Sequence, residues 1–197
     1  MLSFLILYGT GEGQTETVAD RIAETIDTRG HDATAIDVDE LSAGFDLGEF
    51  DAVLVGASIH VGKHQPSVLE FVRSNRTDLN AMPTAFFQVS LSSATEEGRA
   101  QAVGYFEEFS AEMEWHPDRV GFFGGALRYS EYGFLKRLLM KQIAKRAVSD
   151  MPEADASGDV EFTDWDEVEA FAADVAAFVE GRLGVTPPGA TGQPELE

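Results

Sequence analysis

The segment Tyr8-Gly9-Thr10-Gly11-Glu12-Gly13-Gln14-Thr15 carries the clearest chemical signal in the sequence. It lies between an apolar run at 2–8 and a helical pattern at 15–29. A small, hydroxyl-bearing turn leading straight into a helix presents free backbone N–H groups at the positive end of the helix dipole. Thr10 and Thr15 add hydroxyl donors. The turn holds no Lys or Arg, so an anion bound there is held by neutral donors, which suits a phosphate monoester. A P-loop needs a Gly-Lys-Ser/Thr ending, and the dinucleotide pattern G-x-G-x-x-G spaces its glycines differently. The plain alternative is a tight turn with no ligand.

A second signal is charge. The chain carries 35 Asp and Glu against 14 Lys and Arg, a formal net charge of −21. Yet residues 128–148 hold Arg128, Lys136, Arg137, Lys141, Lys145 and Arg146 against the single acid Glu131. Six positive groups less one negative give +5, so the rest of the chain carries −26. Arg137, Lys141 and Lys145 fall on one helical face, and Leu135, Leu139, Ile143 and Ala147 on another. A basic amphipathic helix can lie on an anionic membrane surface, each residue contributing about 1 kcal/mol. It can equally steer a dicarboxylate substrate or dock on the acidic body of its own domain.

These groups need a scaffold, and the hydropathy pattern supplies one. Short apolar runs at 2–8, 52–58, 84–91 and 120–127, with a further strand at 32–38, alternate with helical patterns at 15–29, 66–74, 96–114, 132–148 and 164–183. In the first helix Val18, Ile22 and Ile26 recur at fourfold spacing; in the last, Val168, Phe171, Val175 and Phe178 form a stripe. Apolar strands alternating with helices predict a doubly wound, five-stranded parallel sheet with helices on both faces. Ligands of such sheets sit at the carboxyl ends of the strands, where strand order reverses. The expected organisation is one domain over 1–184, with the basic helical insertion at 128–148 and a disordered tail at 185–197.

Composition narrows the function. The absence of cysteine excludes disulfides, thiolate catalysis and iron–sulfur ligation. The acidic balance argues against a nucleic-acid partner, and against an anionic membrane except where basic groups gather. Carboxylates spread along the whole chain suit a halophilic cytoplasm, where salt screens their repulsion. The apolar N-terminal run lacks a basic flank and is too short for a signal peptide or membrane span.

Thr-x-x-Gly-x-Thr at 10–15 resembles the FMN-phosphate loop of flavodoxins. Six segments in order resemble the flavodoxin-like, menaquinone-dependent protoporphyrinogen IX dehydrogenases: Gly13-Gln14-Thr15, Gly56-Ala57-Ser58-Ile59, Met82-Pro83-Thr84-Ala85-Phe86, Trp115-His116-Pro117-Asp118-Arg119, Gly125-Ala126-Leu127-Arg128-Tyr129 and Thr163-Asp164-Trp165. The resemblance implies a flavodoxin-like fold with FMN. Its phosphate would rest on Thr10, Gly11, Glu12, Gly13, Gln14 and Thr15. The ring would lie between the loop carrying Ser58, Ile59, His60, Gly62 and His64 and the loop Ser90, Leu91, Ser92. Neither loop supplies the Trp or Tyr that flavodoxins stack on the ring, so His60 is a substitute or the ring stays open to substrate.

The activity implied is oxidation of protoporphyrinogen IX to protoporphyrin IX, with electrons passed to a quinone. No general base stands out; His60 and His64 are the candidates that titrate near neutral pH, and plain solvent exposure is their alternative. Arg128 and Lys136 could pair with propionates, and Tyr129 and Tyr132 could pack against a flat tetrapyrrole, with membrane contact through 132–148. Competing readings are an electron-carrying flavodoxin and an FMN-dependent NAD(P)H:quinone reductase. The former docks basic redox partners; the latter turns over nicotinamide.

Overall fold

The computed structural model describes residues 1–42, 44–60, 62–127 and 160–186. Its elements run β1 (Ser3–Gly9), α1 (Gln14–Thr28), β2 (Asp32–Asp37), β3 (Ala52–His60), β4 (Lys63–His64), α2 (Pro66–Ser74), α3 (Arg76–Ala81), β5 (Thr84–Ser90), α4 (Glu96–Met113), β6 (Arg119–Gly124), β7 (Ala126–Leu127), β8 (Val160–Glu161) and α5 (Trp165–Leu183). Five strands form the parallel sheet, in the order β2-β1-β3-β5-β6. The chain steps outward from β1 to β2, then returns across β1 to β3. That reversal opens a crevice beyond the carboxyl ends of β1 and β3.

Every residue of β1 after Ser3 is buried. Alternate side chains of a strand face opposite sides, and both sides are covered. Phe4 and Ile6 join Val18, Ile22, Leu54, Phe87, Phe123, Val168 and Val175 in one core. Leu5 and Leu7 join Val53, Val55, Val68, Phe86, Phe109 and Trp115 in the other. Two covered faces explain why these strands read as unbroken apolar runs. Val18, Ile22 and Ile26 of α1 are fully buried, and Phe171 and Phe178 pack on the same core beside Val168 and Val175.

The structure departs from the predicted elements in three places. The third strand continues to His60 and turns back as β4, pairing Ile59 with His64 and His60 with Lys63. A short helix, α3, occupies 76–81. The run at 120–127 is two strands, not one: β6 stops at Gly124, and β7 pairs antiparallel with β8. The break has a steric cause. A Cβ on Gly124 would lie 2.2 Å from the carbonyl oxygen of Phe162, whose backbone crosses there. The basic segment at 128–148 lies outside the described residues, but its flanks do not. β7 and β8 hold the chain at 127 and 160 side by side. After α5, Val185 donates its N–H to Glu180 O at 2.9 Å and packs on the first core.

Candidate functional site

Three loops meet at the carboxyl ends of β1, β3 and β5. In the first, the Thr10 hydroxyl accepts the Gly13 N–H at 2.9 Å and draws the turn closed. Gly13 takes the left-handed conformation, φ 82° and ψ −11°, which a residue with a Cβ adopts only under strain. α1 then begins at Gln14 with no side chain capping its N-terminus. Its first-turn N–H groups have no intrahelical carbonyl to meet, and they point their partial positive charge into the crevice.

Thr15 supplies the most telling atom. Its side chain is fully buried, and Oγ1 has no hydrogen-bond partner among the described residues. A buried hydroxyl without a partner costs on the order of 1–3 kcal/mol and needs an explanation. A phosphate oxygen at the mouth of α1 would accept from this hydroxyl and from the first-turn N–H groups together. The residues therefore fit the phosphate monoester that FMN carries.

The surroundings are acidic. Tyr8, 8% exposed at the end of β1, has its phenol pushed up to about 12 by burial first, then by Glu16, Asp37, Asp20 and Glu40. Tyr8 stays protonated, and among the described residues the loop itself offers an anion oriented dipoles rather than a counter-charge.

In the second loop, Gln65 grips Ser58 at two points. Gln65 Oε1 accepts the Ser58 N–H at 3.1 Å, and Gln65 Nε2 donates to Ser58 Oγ. Ile59 is half-buried, and Gly62 turns the hairpin with φ 75°. His60 is placed by its backbone pairing with Lys63. His64 points into the second core: it is buried, 4.7 Å from the Phe109 ring centroid and 5.7 Å from that of Phe86. Its Nε2 lies 2.9 Å from Gln88 Oε1, and Gln88 Nε2 donates to Ala102 O at 3.2 Å. Burial pushes the His64 imidazole below its ordinary value, with the Gln88 hydrogen bond opposing.

In the third loop, a 3-10 turn at Leu91–Ala94 follows β5. Ser90 and Ser93 are buried and hold this turn. Ser90 Oγ accepts the Ser93 N–H at 3.2 Å and lies 2.8 Å from Ser93 Oγ. Leu91 and Ser92 are half-buried. Arg99 fixes the far side, donating to Ser93 O at 3.3 Å while pairing twice with Glu167 of α5, at 2.9 and 2.6 Å.

The structure thus gathers Thr10–Thr15, Ser58–His60 with Gly62, and Ser90–Ser92 around one crevice and sets His64 behind the hairpin. Arg128, Tyr129, Tyr132 and Lys136 lie outside the described residues. Several participants were not singled out from the sequence, Arg99 and Gln88 among them. Gln65 precedes a helix-starting proline and gave no chemical signal. Tyr105 reaches the hairpin from α4, its hydroxyl 3.1 Å from where a Gly62 Cβ would sit. Thr163 belonged to a recognised segment but had no role attached. Among the described residues, no three His, Asp or Glu side chains gather as a metal site, and no helix is long and apolar enough to cross a membrane.

Comparison with known proteins shows the family and the fold. A family model described as a flavodoxin domain matches residues 5–152. Protoporphyrinogen IX dehydrogenase (quinone) of Escherichia coli K12 is 35% identical over 173 residues, covering 87% of this chain and 93% of that protein. The Leishmania major protein of the same name is 35% identical over 178 residues, covering 88% of this chain and 74% of its own. Among solved structures, a flavodoxin from the domain Archaea aligns with a TM-score of 0.53 at 16% identity, over 91% of this chain and 99% of the other. Flavodoxin 2 from Bacillus cereus aligns with a TM-score of 0.52 at 19% identity, over 89% and 99%.

Proposed function

Because this chain belongs to the flavodoxin-like protoporphyrinogen IX dehydrogenase family and is an FMN-binding oxidoreductase, we propose that it oxidises protoporphyrinogen IX to protoporphyrin IX and passes the electrons to a quinone. The observation that carries the reading is the extent of the likeness. It runs at 35% identity over 87% of the chain and 93% of the Escherichia coli relative, so it covers the loops as well as the scaffold.

FMN supplies the two-electron acceptor. In each step the porphyrinogen gives up a hydride and a proton, and the quinone, taking two electrons and two protons, leaves as the quinol. The chain's own part is binding and orientation. Thr15 and the first turn of α1 hold the phosphate, while Ser58–His60 and the 91–94 turn flank the ring. Gln65, Ser90, Ser93 and Arg99 keep those two walls in place. His64, clasped by Gln88 inside the core, supports the hairpin from behind. The basic segment at 128–148 meets the propionates of the substrate, with Arg128 and Lys136 as their partners and Tyr129 and Tyr132 against the macrocycle.

The test is anaerobic. The protein, loaded with FMN in high salt, is mixed with protoporphyrinogen IX while flavin absorbance and porphyrin fluorescence are followed. Bleaching with porphyrin appearance, then continued turnover on adding menaquinone, is the expected result. An FMN-loaded protein that stays yellow at every substrate concentration rejects the activity and leaves electron carriage as the reading. Bleaching by NAD(P)H alone identifies a nicotinamide-driven quinone reductase.

A further inference from the structure

Gln14 stands at the first position of α1, next to the unpartnered Thr15, yet its side chain turns away from the loop. It is 8% exposed, and its Nε2 donates to Thr163 Oγ1 at 2.8 Å and to Glu161 Oε1 at 3.0 Å. An ionised carboxylate only accepts, so the contact with Glu161 fixes which end of the amide faces this way. The Thr163 hydroxyl donates its own hydrogen to Gly124 O at 2.8 Å, leaving a lone pair for Gln14. Both Nε2 hydrogens and the hydroxyl hydrogen are thereby used.

The pattern continues across the sheet. Phe162 donates its N–H to Gly125 O at 3.0 Å, and Gly125 donates its N–H to Ser90 O at 3.0 Å. A seam of hydrogen bonds therefore runs from the start of α1, through 162–163 and 124–125, to the last residue of β5. The close approach of Phe162 to Gly124 makes this seam possible, since a Cβ there would push the 162–163 backbone off. Three of the segments that drew attention in the sequence, 13–15, 125–129 and 163–165, contribute to it.

We propose that Thr163 and Gln14 are positioning residues for the FMN phosphate: by bracing the first residue of α1 against the end of β6, they hold Thr15 and the first-turn N–H groups where the phosphate needs them. The chemistry points this way because Gln14 gains nothing from solvent or ligand where it lies. Its bonds tie a helix start to a segment 149 residues away, and the atoms next to it are those with an unfilled demand. The proposal rests on the phosphate loop being the FMN-phosphate site.

The measurement is the affinity of the full-length apoprotein for FMN and for riboflavin, which differ by the phosphate alone, in wild type, Thr163→Val, Thr163→Ser and Glu161→Ala. Thr163→Val keeps the shape and removes both hydroxyl bonds. We expect FMN to bind about five- to twentyfold more weakly, with riboflavin unchanged within about twofold and Thr163→Ser restoring the preference. Glu161→Ala, at an exposed position, removes one acceptor of Gln14 without a core cost and should weaken FMN by about two- to threefold. If both ligands weaken together, or neither changes, the brace only supports the fold and the proposal is overturned. If wild type itself fails to prefer FMN to riboflavin, the phosphate-loop reading falls first, and the brace with it.

Discussion

At the amino ends of the strands, Glu180 of α5 is 5% exposed and accepts from Arg29 Nε and Nη2 at 2.6 and 2.8 Å, with His31 Nε2 at 2.8 Å. His31 completes the arrangement, its Nδ1 accepting the Leu2 N–H at 3.3 Å. That acceptor role leaves the Nε2 hydrogen for Glu180. At the carboxyl ends, about one strand length away, Thr15 is buried as deeply and has no partner among the described residues. One end closes its polar groups on each other and so locks β1, β2 and α5 together. The other leaves a hydroxyl unsatisfied among the described residues, where a bound phosphate would meet it. A buried polar group that is satisfied within the fold works for stability; one that is not works for binding, at a cost to the empty protein.

The amino end should break hardest. Glu180→Ala removes the common acceptor of Arg29 and His31; because Arg29 is a third exposed, the loss falls below the roughly 3–5 kcal/mol of a fully buried pair. Unfolding of the apoprotein by urea should show that loss, while the FMN affinity of the protein that remains folded changes by less than about twofold. A variant as stable as wild type would mean that Arg29, a third exposed, already finds equal partners in water.

Thr15→Val should do the reverse. The substitution keeps the shape and removes the unsatisfied hydroxyl, so the empty protein is expected to gain about 1 kcal/mol. Losing a hydrogen bond to a charged phosphate costs roughly 1.5–3 kcal/mol, or about 10- to 150-fold in FMN dissociation constant. Calorimetric titration with FMN, beside melting of the apoprotein, separates the two signs. A valine variant that is both less stable and unimpaired in FMN binding would erase the contrast between the ends.

How much of this contrast was legible in the sequence depends on how local each feature is. The five strands could be read because both faces are covered and the runs are apolar throughout. The phosphate loop could be read because Thr10, Gly13 and Thr15 act within a few residues of each other. Gly56 belonged to a recognised segment, yet its smallness answers the Phe87 ring on the neighbouring strand, 2.1 Å from where a Cβ would lie. The segment 115–119 likewise serves the fold at the amino end: Trp115 Nε1 donates to Thr84 Oγ1 at 3.3 Å, and Asp118 Oδ2 accepts the Thr84 N–H at 3.0 Å. His64 sits in a polar-looking stretch, Lys63-His64-Gln65, and its burial depends on a hairpin that only Phe86, Phe109 and Gln88 explain. The bond from Gln14 to Thr163, like that from Arg29 to Glu180, joins parts of the chain that only tertiary packing brings together.

The smallest effects should come from pH, and they too divide by end. The hydrogen bonds from Arg29 hold the Glu180 carboxyl below its ordinary value, against burial, with His31 adding to the lowering. Such a group stabilises the fold above the ordinary Glu range and loses that contribution as pH falls through the lowered value. Burial lowers the His64 imidazole instead, so the unfolded chain takes up a proton that the folded one refuses. Stability supplied there is full above about pH 6.5 and falls as pH drops below it. Each site contributes a slope of at most about 1.4 kcal/mol per pH unit. Apoprotein stability measured from pH 8 to pH 3 should therefore fall in two stages. Glu180→Gln should flatten the lower stage and leave the upper; His64→Leu should flatten the upper, at about 1 kcal/mol for the stranded Gln88, and leave the lower. If one substitution flattened both stages, the two ends of the sheet would be coupled through the core, and the division of labour between them would not hold.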